Sequence, residues 1–189
     1  LLLLHVAPGN VGSGVPLPAH GLFTVALDAV GPDVGLLVQR RTEVRLFGAL
    51  GEERAARRSL GNVRFVRADA REIVCHAIPS ASVTSYYVFY PDPWPKKRHH
   101  KRRFFQTDTV DHLARTLIAG GHLHVATDHD DYWPWILERM AGHPTFERLD
   151  EFGGPSFPLS PDSPLTNFEL KYEVQGRNRH RGSWRRLAV

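Results

Sequence analysis

Cysteine, long apolar runs and late acidic residues are what this sequence lacks. Cys75 is the single cysteine among 189 residues. One thiol can neither close an intrachain disulfide nor build a cysteine cluster around a metal, which fits a reducing, cytoplasmic compartment. No apolar run approaches the ~20 residues that cross a bilayer as a helix, so no membrane partner is expected. The opening "LLLLHVA" is far too short to span and lacks the basic flank of a secretory signal, so it reads as a buried strand. Histidine is not scarce, at 11 residues, but no pair has convincing metal-ligand spacing, and no metal is expected. After Glu173 the chain carries no acidic residue, while Arg177 to Arg186 holds five arginines.

What is present is ordinary in amount and unusual in placement. Hydrophobic residues make up 42% and charged residues 23% of the chain, as in a soluble globular protein. The length suits a single domain over residues 1–189, with residues 174–189 set apart as a basic C-terminal tail. A formal charge of +4 is modest, but Lys96 to Arg103 forms one basic block and Arg177 to Arg186 another. Two basic segments on an otherwise mixed chain are the electrostatic footprint of a nucleic-acid binder.

Strand-like and helix-like segments alternate, which predicts an α/β fold with a mostly parallel sheet. Leu1 to Ala7 reads as the first strand, and a Gly/Pro-rich loop, "PGNVGSGVPLPAHG", follows it. The pattern predicts a short helix over Leu22–Val30, a strand over Val34–Val38 and a helix over Thr42–Arg58. Strands are expected at Val63–Val66 and Val83–Tyr90, the second ended by Pro91. Val110, Leu113, Ala114, Leu117 and Ile118 have helical spacing, with Thr107 to cap the start and Gly120-Gly121 to stop the helix. "HLHVAT" reads as a strand leading to Asp128, Asp131 to Ala141 as a helix, and Phe146–Leu149 and Phe168–Val174 as the last two strands.

In open α/β sheets, ligands bind beyond the carboxyl ends of the strands. Asp69, Asp92 and Asp128 each sit just past a predicted strand end. Alone, each is an ordinary cap or turn residue; three along one edge point to a site. Asp92 stands apart, because Pro91 and Pro93 restrict its backbone, as a preorganised polar group requires. Trp94 is either a core residue or a stacking plate. Lys96, Lys97, Arg98, Lys101, Arg102 and Arg103, with His99 and His100 among them, form a block without a single acid. Basic residues at a helix start oppose the macrodipole, a local cost that shifts the balance from a solvated face toward function.

The stretch "FYPDPWPKKRHHKRR" resembles the signature of the bacterial tRNA (guanine-N7-)-methyltransferases, class I S-adenosylmethionine-dependent enzymes with a Rossmann-like fold. "SPLTNFE" is similar to that family's C-terminal T-x-F-E segment, and "HVATD" to its strand ending in a substrate-contacting aspartate. The resemblance runs from about Gly61 to Glu173 in order and spacing. It implies a twisted sheet with helices on both faces and an antiparallel last strand. By the same resemblance, Asp92 is the catalytic and cofactor-side aspartate, and Asp69 lies near the cofactor adenine. Lys96 and Asp128 become substrate contacts, and Arg98, His99, His100, Lys101, Arg102 and Arg103 the RNA-facing stretch. Thr166, Asn167, Phe168 and Glu169 match the segment closing over the guanine. The N-terminal third departs from the family pattern of a G-x-G-x-G turn and an acidic ribose ligand. Gly21 aligns with the last glycine of that turn, or the turn lies at Gly9 to Gly14, and Gln39 takes the acidic position.

The implied reaction is methyl transfer from S-adenosylmethionine to guanine N7 in the tRNA variable loop, by a monomer or homodimer. Guanine N7 already has a free lone pair, so positioning and electrostatics carry the catalysis rather than a general base. Asp92, Asp128 and Glu169 can accept from guanine N1–H and its exocyclic amine, which adenine cannot match at N1. The Arg177–Arg186 tail would track the backbone, with Trp184 available for stacking. Two other readings stay open: a tRNA-binding homologue with weakened or lost cofactor binding, suggested by Gln39, and an amino-group methyltransferase, suggested by "DPW".

Overall fold

The computed structural model describes residues 2–6, 23–29, 53, 56–57, 63–153 and 174–188. The predicted strand at Val34–Val38 and most of the predicted helix Thr42–Arg58 fall outside these residues. So do Gly21, Gln39, Thr166, Asn167, Phe168, Glu169 and the strand expected from Phe168.

Seven strands among the described residues form one sheet in the order β3-β2-β1-β4-β5-β7-β6. They are β1 (Leu2–Val6), β2 (Phe23–Ala29), β3 (Val63–Ala68), β4 (Val83–Phe89), β5 (Leu117–Thr127), β6 (Phe146–Arg148) and β7 (His180–Arg186). The helices are α1 (Ala70–Glu72), which runs into a π-helical turn at Ile73–Ala77, α2 (Thr107–Thr116) and α3 (Tyr132–Ala141). A 3-10 helix spans Lys97–Arg102.

The α/β class and the antiparallel last strand are as expected, whereas the sheet is mixed rather than mostly parallel. Only β1–β2 and β4–β5 pair in parallel; β1–β4, β2–β3, β5–β7 and β6–β7 are antiparallel. Either orientation completes a backbone ladder, and antiparallel bonds are slightly better per residue. Because β1 and β2 both run against β4, the sheet interior reverses direction twice.

The helix predicted over Leu22–Val30 is strand β2 instead. Phe23, Val25 and Leu27 alternate with Thr24, Ala26 and Asp28, which is the two-residue period of a strand. Pairing with β1 and β3 on its two sides makes that pattern decisive.

The helix α2 ends at Thr116, short of the predicted Ile118. Its apolar positions Val110, Leu113 and Ala114 are buried as the spacing requires. The chain leaves the helix at Leu117, which is extended: the Thr116 hydroxyl donates back to the His112 carbonyl at 2.8 Å and meets Tyr86 Oη at 2.8 Å, while the Thr116 carbonyl accepts from Ser82 N at 2.8 Å. Leu117 is thereby drawn into register with Val83. Gly121 does not stop the helix but lies within β5, where a Cβ would stand 3.0 Å from the Thr84 carbonyl oxygen.

The basic tail read at residues 174–189 is corrected in part. His180–Arg186 is β7, inserted between β5 and β6. Gly182, Ser183 and Trp184 are buried, and Trp184 is 2% exposed, which removes it as a stacking surface for RNA. Its indole packs against Trp133, with ring centres 6.2 Å apart.

Candidate active site

Strand register gathers the predicted carboxylates. Phe89 pairs with Ala126, Val88 with Leu2, Leu2 with Val25, and Phe23 with Ala68. The carboxyl ends of β3, β4 and β5 therefore share one edge, and Asp69, Asp92 and Asp128 follow those ends. Because β1 is antiparallel to β4, Val6 pairs with Val83, and the chain leaves β1 at the opposite edge. The alternative glycine turn at Gly9 to Gly14 lies outside the described residues.

The loop carrying Asp92 is rigid by construction. Tyr90 N donates to the Ala126 carbonyl at 2.8 Å, tying the loop start to β5. Tyr90 and Trp94 both adopt left-handed backbone, with φ of 52° and 42°. Such conformations cost of order 1 kcal/mol or more each in a non-glycine residue and persist where surroundings over-determine them. Between them Pro91 is buried and Asp92 is exposed, its carboxylate accepting no hydrogen bond among the described residues. The constraint lies in the backbone while the carboxylate stays available.

Arg103, expected to face RNA, does different work. It is 2% exposed, and its Nε donates to the Pro93 carbonyl at 2.7 Å. Its guanidinium stands over the Tyr132 and Trp135 rings at 4.9 and 4.8 Å. Burial pulls its pKa down from the usual value. The last cation of the basic run is thus the buttress of the Asp92 loop. It fits there because a flat guanidinium can stack on rings and still donate along its edge.

The remaining basic residues occupy the 3-10 helix and its approach. Lys96, Lys97, Arg98, Lys101 and Arg102 are exposed, while His99 and His100 are half-buried. The Arg102 guanidinium lies 5.0 Å from the Trp94 ring centre, and His99 meets the same ring edge-on at 5.8 Å. His100 meets Trp135 edge-on at 5.3 Å, and its carbonyl accepts from Gln106 Nε2 at 2.7 Å. Gln106, not Thr107, occupies the cap position of α2, and its side chain serves the 3-10 helix instead of the helix start. Trp94 is therefore a half-buried plate between the Arg102 guanidinium and the His99 ring.

Asp128 follows buried Thr127 and is held by Arg177, whose Nη1 donates to its Oδ2 at 2.8 Å. Beside it, Asp130 Oδ1 meets His180 Nε2 at 2.7 Å and accepts from Asn178 Nδ2 at 2.9 Å. These hydrogen bonds hold the Asp130 carboxyl below its usual pKa. His180 stacks on Trp133 with ring centres 5.8 Å apart. The acidic "DHDD" and the basic "RNRH" are thus laced together. By sequence the second reads as RNA-facing charge, and the complementary signs of the two tetrads are the signal for their pairing. Asp69 spends one oxygen on its own helix: Oδ1 accepts from Arg71 N at 2.9 Å, capping α1.

An exposed carboxylate on a stiff loop, a second carboxylate held by arginine and an adjoining cationic helix are a site for a polar, anionic partner. A family model described as "Putative methyltransferase" matches residues 19–181, and the chain belongs to that family. Among curated relatives, a tRNA (guanine-N(7)-)-methyltransferase of Mycolicibacterium gilvum is 37% identical over 154 residues, 80% of this chain and 58% of its own. That of Halorhodospira halophila is 42% identical over 127 residues, 67% of this chain and 54% of its own. That of Nitrosospira multiformis is 44% identical over 112 residues, 59% of this chain and 48% of its own. The chain spans about half the length of these three relatives. Among the described residues, no helix is long and apolar enough to cross a membrane.

Proposed function

We propose that this chain methylates guanine N7 in the variable loop of tRNA, using S-adenosylmethionine in the cytoplasm. The observation that carries this reading is the exposed Asp92 carboxylate, fixed between Tyr90 and Trp94 and continuous with a cationic helix. The relatives' names and the signature around Asp92 support the same reaction.

When bound, the cofactor supplies an electrophilic sulfonium methyl group. Asp69 and Asp92 fit a role in holding it, since both follow strand ends on one edge and Asp69 keeps one carboxylate oxygen clear of its capping bond. Gly21 and Gln39 are assigned to it from the sequence. Asp92 accepts from the guanine N1–H and amine and offsets positive charge growing on the purine as N7 is alkylated. Asp128, one oxygen engaged by Arg177, offers the other to the base. Thr166, Asn167, Phe168 and Glu169 are the closing segment in this reading. Lys96, Arg98, Lys101 and Arg102 contact phosphates, and the guanine leaves its stack to reach the carboxylates. The protein acts as a monomer or homodimer.

The test is to incubate the protein with methyl-labelled S-adenosylmethionine and unmodified tRNA, then map the methylated atom by reduction and aniline cleavage. Label at guanine N7 in the variable loop is expected. Label on an exocyclic amine would replace this reading with amino-group transfer. Binding of tRNA without label, together with no calorimetric cofactor binding, would make the chain a tRNA-binding homologue.

A further inference from the structure

Arg71 belongs to no part of the signature, yet its side chain joins three segments around the site. Its Nη2 donates to Asp108 Oδ2 at 2.8 Å and Oδ1 at 3.1 Å. Its Nε donates to Thr109 Oγ1 at 3.0 Å, and its Nη1 to the Lys101 carbonyl at 3.3 Å. Its own backbone N–H donates to Asp69. One guanidinium therefore connects the turn after β3 with the first turn of α2 and the end of the cationic 3-10 helix. Asp108 and buried Thr109 pin its orientation, which leaves Nη1 aimed at Lys101.

The 3-10 helix needs such a tether. In this geometry residues three apart eclipse, so Arg98 faces Lys101 and His99 faces Arg102. The segment contains no acidic residue and has no side-chain cap at its start. Like charges at that spacing destabilise a helix, so its own sequence does not hold it. Gln106 takes the His100 and Arg103 carbonyls from the α2 side. Arg71 takes the Lys101 carbonyl from the Asp69 side.

We propose that Arg71, oriented by Asp108, is a positioning residue that sets the cationic 3-10 helix against the carboxylate edge, so that its exposed charges meet the RNA backbone in one arrangement. This deepens the functional reading above and rests on the basic run engaging tRNA. Two simpler accounts make different predictions. If Arg71 only adds positive charge, Arg71→Lys preserves its effect. If Asp108 only adds negative charge beside the clamp, Asp108→Asn tightens tRNA binding. Positioning gives the opposite result in both cases, because lysine lacks the planar fork and asparagine lacks the paired carboxylate.

The experiment measures tRNA affinity against salt for Arg71→Lys, Asp108→Asn and the double variant, with S-adenosylmethionine binding measured alongside. Asp108 is 60% exposed at its side chain, so the fold should tolerate its replacement, and thermal unfolding checks this. Each single variant is expected to bind tRNA about 3- to 5-fold more weakly, the order of one geometrically good ion pair. The double variant should be no worse than the weaker single, as for two members of one contact. Cofactor affinity should be unchanged. Tighter binding by Asp108→Asn, or wild-type binding by Arg71→Lys, would overturn the proposal. Lys101→Ala, which keeps the backbone carbonyl that Arg71 holds, serves as the control for the underlying reading: if it leaves tRNA binding and salt slope unchanged, the basic run does not engage tRNA and both readings fall.

Discussion

Asp92 and Arg103 lie in one short motif and should fail in different ways when replaced. Asp92 is exposed and carries no packing, so Asp92→Ala should lower kcat by about 100-fold or more, as loss of a preorganised electrostatic contact does. Its tRNA affinity should change little; a large loss of affinity would recast Asp92 as a structural residue. Arg103 is buried between Tyr132 and Trp135 and anchors the Pro93 carbonyl. Replacing it with Lys should cost roughly 1–3 kcal/mol in urea unfolding, since buried acceptors and rings lose their planar partner. Such a variant should keep the wild-type salt dependence of tRNA binding. Exposed Lys101 should show the reverse: Lys101→Ala leaves stability alone and flattens that dependence by up to about one unit of slope. In the sequence Lys101 and Arg103 are alike, because charge order says nothing about burial. The difference is set by Tyr132 and Trp135, some thirty residues downstream.

At the scale of elements, β7 is the most sensitive. A Cβ on Gly182 would stand 2.8 Å from both the Trp133 and the Trp184 ring, so Gly182→Ala must push both rings aside. Overpacking of this kind costs roughly 1–3 kcal/mol, readable as a lowered urea midpoint, and an unchanged midpoint would show that the tryptophans move freely. This strand was illegible in the sequence: "HRGSWRR" has no β-branched residue and reads as a basic tail. It is a strand because β5 offers an open ladder, and because Ser183 and Trp184 are buried on its two opposite faces. By contrast β4, rich in Val, Tyr and Phe and ended by Pro91, was legible within a residue of its limits. So was the convergence of Asp69, Asp92 and Asp128, because each follows a strand end. The reversal of β1 and β2 was not, since nothing in a strand's own residues states which way its neighbour runs.

Across the whole molecule, the sheet buries a histidine that ties stability to pH. His124 is 1% exposed, its Nδ1 lies 2.8 Å from Ser183 Oγ, and it stacks on Tyr87 at 5.0 Å. Burial, with a smaller effect of His122, lowers its pKa to about 4. His122 is lowered too, by burial and then by Arg185. A histidine depressed in the folded state binds its proton more readily when unfolded. Stability is therefore full above the ordinary pKa of about 6.5 and falls as pH drops toward 4, by about 3 kcal/mol for His124. Urea midpoints should decline from pH 7 to pH 5, and His124→Phe should flatten the decline; an equal slope in that variant would exclude this residue as the cause. The position of β7 has a further consequence, for synthesis on the ribosome. Although β6 precedes β7 in the chain, among the described residues β6 joins the sheet only through β7. A nascent chain that has emerged only as far as Arg148 therefore presents β5 with an unpaired flank and β6 without its neighbour in the sheet. Until His180–Arg186 emerges, that flank is a template for any passing strand, so a delay in its emergence is where this protein is most exposed to misassembly.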